Sequence, residues 1–171
     1  MKRLVLVLLL LTSNIYSETI NGHTIPPEPD LKINNSTLLG VDSNDNGVRD
    51  DVERKVYATY RKAIQRAVMM QAFRTRQKML ADPDMVKNAR AWEKEIWKPI
   101  ACSEYLYEYR NQPRIKNLIK ILNDWQFNNK ERVEIYINYN KALSGGIYSI
   151  NLNPMLQDCE FDVEKVLEID K

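Results

Sequence analysis

Apolar residues fall at helical spacing over most of this chain. Val52, Val56, Tyr60, Ile64 and Ala67 recur every three or four places and draw a stripe along one helix that runs from Val52 to about Leu80, with Lys55, Arg61, Lys62 and Arg66 between them. No proline or glycine interrupts that run, so it is the longest predicted helix. Asp82-Pro83-Asp84 marks a break. A second helix follows with Val86, Ala89, Trp92, Ile96 and Ile100 as its inner face, and an interruption is expected before Pro99, which lacks an amide and crowds the preceding turn. Residues 101–110 read as helix, although the alternation of Tyr105, Tyr107 and Tyr109 also suits a short strand. Ile115, Leu118, Ile119 and Leu122 show the spacing of a buried stripe. From Asn128 or Asn129 to Leu143 a further helix turns Val133, Tyr136, Ile137 and Asn140 inward and stops at Gly145-Gly146.

Residues 147–152 alternate with period two and suggest a short extended segment near the C-terminus, and 161–169 reads as a short helix or an extended stretch. The predicted fold class is all-α, four to five helices after an extended N-terminal segment and a single loop. Met69 and Met70 read as core filler.

The N-terminus changes the picture of where the chain resides. Met1-Lys2-Arg3, an apolar run over 4–11 and polar residues up to Ser17 have the three regions of a cleavable secretory signal, and the apolar run is shorter than the roughly 20 residues that span a bilayer. The expected organisation is a signal peptide at 1–17, an extended proline-rich lead-in at 18–41, and the loop with its helical domain at 42–171. The expected location is periplasmic or secreted, with no transmembrane segment after cleavage.

Charge and cysteine content narrow the partners. Of 25 basic residues, Lys2 and Arg3 leave with the signal, so the remaining basic residues equal the 23 acidic ones, which argues against binding nucleic acid through bulk charge. The basic faces near Arg61 to Arg66 and Arg74 to Lys78 could attract phosphate or an anionic cell envelope, but read first as solvated sides of amphipathic helices. Cys102 and Cys159 are the only cysteines, and in an oxidising compartment such a pair most simply forms one disulfide, tying the tail to a central helix. Redox or metal-thiolate roles lack a C-x-x-C spacing, and His23 is the single histidine.

The most specific chemistry lies in D-S-N-D-N-G-V-R-D-D-V-E, residues 42–53, which meets every fixed position of the calcium template D-x-[DN]-x-[DN]-G-x5-E. Calcium takes six to eight oxygens, so such a loop supplies them at alternating positions and closes with a bidentate carboxylate. Asp42, Asn44 and Asn46 offer side-chain oxygens, Val48 its carbonyl, Asp50 a direct or water-bridged carboxylate, and Glu53 both oxygens at the close. Gly47 takes the sharp turn. Asp45 and Asp51 add negative field without coordinating, and Asp50, Asp51 and Glu53 crowd a helix start, where negative charge suits the helix dipole. An acidic turn capping a helix without any metal is the plainer reading, but such turns rarely satisfy the whole template.

These residues resemble EF-hand loops, and more closely the D-x-D-x-D-G repeats of extracellular proteins such as the thrombospondin type 3 repeats. Over residues 37–56 the chain is also similar to secreted bacterial proteins, a likeness that implies location and not activity. Two departures from the EF-hand pattern imply a solitary structural ion. Pro26, Pro27, Pro29 and then Asn34, Asn35, Ser36 disfavour an entering helix, and Arg49 stands where EF-hands carry an aliphatic residue that pairs with a partner loop, of which the sequence has none.

No nucleotide, dinucleotide or zinc-protease motif is present, and the single histidine, His23, lies in a flexible-looking start next to Pro26, which argues against a catalytic triad. The rival to a non-enzymatic calcium-binding protein with a protein or envelope partner is a cell-envelope glycosidase. Its two carboxylates would come from Glu93, Glu95, Glu104, Glu108, Glu131 and Glu134, all on predicted helices.

Overall fold

The computed structural model describes residues 17–146 and 154–171, so the expected signal peptide, apart from Ser17, and the extended segment at 147–152 lie outside the described residues. Helix dominates, as the periodicity predicts. The described elements are β1 (Glu18–Ile20), β2 (His23–Ile25), α1 (Leu31–Asn34), α2 (Asp50–Thr59), α3 (Ala63–Ala81), α4 (Ala89–Arg110), α5 (Leu118–Gln126), α6 (Lys130–Leu143), a single 3-10 turn (Leu156–Asp158) and α7 (Val163–Ile169). That is seven α-helices among the described residues, where four to five were expected. No described helix is long and apolar enough to cross a membrane.

The lead-in is not simply extended. β1 and β2 pair antiparallel through Asn21-Gly22, both at positive φ as a two-residue hairpin turn demands. Asp30 then caps the one-turn α1 by accepting the Ile33 N–H at 2.9 Å, so Asn34, expected to break helices, closes one instead. Arg54 of α2 holds this region down through the Pro26 carbonyl at 2.8 Å and the carboxylates of Glu28 and Glu18.

The predicted long helix is two. It breaks between Thr59 and Ala63, where Arg66 turns inward to donate to the Tyr60 and Arg61 carbonyls, and where the Asp170 carboxylate accepts the Ala63 and Ile64 N–H groups. Side chains thus satisfy two carbonyls within the break and the first amides of α3. Arg66 and Arg76 are buried rather than solvated, which corrects the amphipathic reading of these basic faces.

Pro99 does not interrupt α4. A proline inside a helix costs about 3 kcal/mol, but Cys102 and Leu106 beyond it are buried in the same core as α3, and that packing offsets the local penalty. Tyr105, Tyr107 and Tyr109 are helical, the last two exposed.

Two apolar clusters share α3. One joins Val48, Val52, Val56, Ile64, Met69, Phe73, Cys102, Leu106, Leu118, Leu122 and Val163; the other joins Met79, Leu80, Met85, Ala89, Phe127 and Tyr139. Several residues assigned to inner faces lie outside: Val86, Ile119, Val133, Ile137 and Asn140 are exposed, and α6 instead buries Arg132 and Tyr139. Cys102 and Cys159 form a disulfide with a Cα–Cα distance of 5.0 Å, which ties the tail to α4 as expected. Gln71 of α3 reinforces that attachment by donating to the Asp158 carbonyl at 2.7 Å and accepting from Glu160 N–H.

Candidate metal centre

The loop that precedes α2 is folded around its own side chains. Asp42 accepts Gly47 N–H at 2.8 Å on one carboxylate oxygen and Asn46 N–H at 3.2 Å on the other, which closes the loop at its head. Gly47 has φ +80°, the conformation that its place at the turn requires, and a Cβ there would stand 2.9 Å from Arg74 Cγ. Glu53, on the first turn of α2, reaches back: its Oε2 accepts from Asn44 Nδ2 at 3.1 Å and Asn46 Nδ2 at 2.8 Å. The closing glutamate therefore faces the two asparagines at the third and fifth places.

Val48 is wholly buried, and its carbonyl oxygen receives no hydrogen bond from any described residue. Buried backbone carbonyls are nearly always paired, so an orphaned acceptor at the place where a calcium loop offers a backbone oxygen is informative. Asp42, Asn44, Asn46 and Glu53 supply side-chain oxygens around the same turn. The donor set is mixed, two carboxylates, two amides and a carbonyl, and among the described residues no three His, Cys, Asp or Glu side chains form a metal cage by themselves.

Asp50 behaves differently from the other ligand candidates. Both of its oxygens accept Ser43 N–H, at 3.0 and 3.1 Å, and its own N–H donates to the Val41 carbonyl at 2.8 Å. It fastens the two ends of the loop together. Burial pushes the carboxyls of Asp50 and Glu53 above their ordinary range, opposed in Asp50 by the Ser43 bonds and in Glu53 by those from Asn46 and Asn44, while neighbouring carboxylates add to the rise. Charged oxygens held close together without full solvation create a local demand for positive charge.

Part of that demand falls to Arg74 of α3, which donates from Nε to the Asn46 carbonyl at 3.0 Å and pairs with Glu160. The loop, Arg74, Tyr57 and His23 border a groove of about 490 Å³. His23 lies on β2 with its ring 5.1 Å from that of Tyr57, so it is not in a loose N-terminal stretch as its neighbouring prolines suggested.

Two arginines anchor the loop from behind, and sequence reasoning missed both. Arg49, at the eighth place, is buried, pairs with Asp51, and donates to the Trp125 and Gln126 carbonyls at 2.8 and 3.3 Å, where the C-terminal end of α5 favours a cation. Asp51 is accordingly the partner of Arg49 and not free negative field. Arg132 of α6, fully buried, donates five hydrogen bonds, to the carbonyls of Asn34, Thr37 and Leu38 and to the side-chain oxygens of Asn35 and Asn128. Burial and nearby Arg49 lower its pKa to about 10. The charged character of residue 49 was the one available signal; nothing local to α6 marks Arg132.

Six glutamates are the candidates for a glycosidase pair, and two of them, Glu93 and Glu104, are half-buried. Glu95, Glu108, Glu131 and Glu134 are exposed, Glu104 pairs with Arg114 at the surface, and only Glu93 lines a cavity. No protein-family model matches the chain, and neither a curated protein nor a solved structure is significantly similar to it.

Proposed function

We propose that residues 42–53 bind one calcium ion, and that the protein is a calcium-stabilised, non-enzymatic domain of the periplasm or extracellular space. Asp42, Asn44, Asn46 and Glu53 would hold the ion through side-chain oxygens and Val48 through its carbonyl, with Asp50 fixing the shape of the loop through Ser43. The ion would supply charge compensation and no chemistry. The observation that carries the reading is the buried Val48 carbonyl without a donor, placed in a loop whose closing carboxylate already faces the two amides. Each amide presents either Nδ2 or Oδ1 in nearly the same envelope, so half a turn would exchange a donor toward Glu53 for a metal-ligating oxygen, at the expense of the bonds that Asn44 Oδ1 and Asn46 Oδ1 accept from Asn46 N–H and Val48 N–H.

The consequence is structural. The loop joins the α1 region to α2 and is pinned to α5 by Arg49, so an ion there holds three parts of the fold at once. The test is calorimetric titration of the purified protein with calcium, with melting curves in calcium and in chelator. A hundredfold excess over the dissociation constant is expected to add about 2.7 kcal/mol. Glu53→Gln should abolish both the heat and the added stability, whereas no heat and an unchanged melt in the unsubstituted protein would reject the reading.

A further inference from the structure

Away from the loop, α3, α4, α5 and α6 enclose a cavity of about 150 Å³ whose wall includes Arg76, Glu93, Trp97, Ile119, Phe127 and Tyr139. Arg76 is 4 % exposed, forms no hydrogen bond or ion pair with any described residue, and its Nη1 is buried without a partner. A guanidinium in that position is costly, because its charge has left water and no described residue accepts a hydrogen bond from it, Glu93 acting on it only through its charge. Burial lowers its pKa to about 10, so it stays charged at neutral pH.

Glu93 is the neighbouring carboxylate, yet its oxygens are taken elsewhere. Oε1 accepts from Trp97 Nε1 at 2.7 Å and Oε2 from the Tyr139 hydroxyl at 2.7 Å, and no ion pair to Arg76 forms. The wall thus combines aromatic and aliphatic surface with one planar cation whose donors lack acceptors. A void of this size accommodates a single ring.

We propose that this cavity binds a small organic monoanion, a carboxylate on a body about the size of one aromatic ring, with both carboxylate oxygens received by Arg76. A guanidinium matches a carboxylate fork to fork, which a neutral acceptor cannot reproduce. Glu93, which also lines the cavity, disfavours a second negative charge, and inorganic phosphate lacks the apolar body that the aromatic and aliphatic wall would take. Ile119 lines the cavity and is 46 % exposed, so the wall reaches the surface there and we take it as the mouth.

The probe is sodium benzoate titrated into the purified protein, read by the Trp97 indole N–H resonance, with benzamide as the neutral counterpart of the same shape and inorganic phosphate as the control without an apolar body. A saturable shift is expected with benzoate, and Arg76→Met should weaken it about tenfold to a hundredfold, the range for a bond to a charged group. Benzamide should show a similar loss, and phosphate no shift. Ile119→Trp fills the mouth and leaves Arg76 in place; it should block benzoate. No benzoate shift, equal shifts with benzamide, binding undiminished in folded Arg76→Met, or binding undiminished in Ile119→Trp would each overturn the proposal.

Discussion

Asp170 caps α3 across 107 residues of sequence: its carboxylate oxygens accept the Ala63 N–H at 2.6 Å and the Ile64 N–H at 3.0 Å. Those donors have no intrahelical partner, and Lys62 at the N-cap makes no side-chain cap bond. A carboxylate near the C-terminus therefore caps the start of α3. Asp170→Ala is expected to cost about 0.5–2 kcal/mol, the range for losing a capping oxygen, read from denaturant unfolding. Asp170→Asn, which retains one acceptor, should cost less.

Gly40 and Gly22 form an internal comparison. Both have positive φ, but a Cβ at Gly40 would stand 2.3 Å from Arg49 Cδ and 2.8 Å from Arg132 Nη2, while nothing lies within 4 Å of one at Gly22. Gly22→Ala carries only the left-handed backbone penalty, about 1–2 kcal/mol. Gly40→Ala must also displace two buried guanidinium groups, and we expect a loss of more than about 3 kcal/mol. Equal melting temperatures for the two variants would contradict the packing described around Gly40.

Asp82 links acid sensitivity to the helix turn before α4. Its carboxylate accepts from Asn88 Nδ2, Trp92 Nε1 and Asp84 N–H, and these bonds, in that order, hold its pKa below the ordinary 3.8. A depressed carboxyl contributes stability that is fully present above the unfolded value and is lost as pH falls through the lower folded one. The Trp92 indole N–H resonance should accordingly move only below about pH 4. Asp82→Asn should remove that titration, and a midpoint at or above 3.8 would refute the assignment.

Removing the Cys102–Cys159 bridge, by reduction or by replacing both cysteines with serine, should cost about 2–4 kcal/mol. For a chain of this size that is about 2–4 °C in Tm per kcal/mol. Because Gln71 independently holds the tail at Asp158 and Glu160, we expect α7 to stay docked at low temperature after reduction. Loss of its amide exchange protection under those conditions would show that the bridge alone holds it.

Much of the helical content was legible because Val52, Val56, Ile64, Leu118 and Leu122 sit at helical spacing and are buried where that spacing puts them. The break after Thr59 was not, because its causes are Arg66 and a carboxylate near the C-terminus; no glycine or proline announces it. Pro99 misled in the opposite direction, since tertiary packing outweighed a local penalty. The faces of α5 and α6 were misassigned at Ile119, Val133 and Ile137 because hydrophobicity was equated with burial, whereas the interior of α6 accommodates Arg132 within a cage of carbonyls. At the loop, Gly47 has the positive φ that a sharp turn requires and Glu53 turns back toward Asn46, but Asp50 is committed to Ser43 and Arg49 to α5, pairings that depend on neighbours distant in sequence or on loop closure.

That cage has a consequence for the order of events in folding. A ribosome releases residues 34–38 long before residue 132, so the carbonyls that will surround Arg132 must wait in water, and the segment leading into the loop cannot settle until α6 arrives. The early part of this chain is consequently finished late, and a nascent fragment ending before residue 132 should expose the stretch from Asn34 to Gly40 to any protease that meets it.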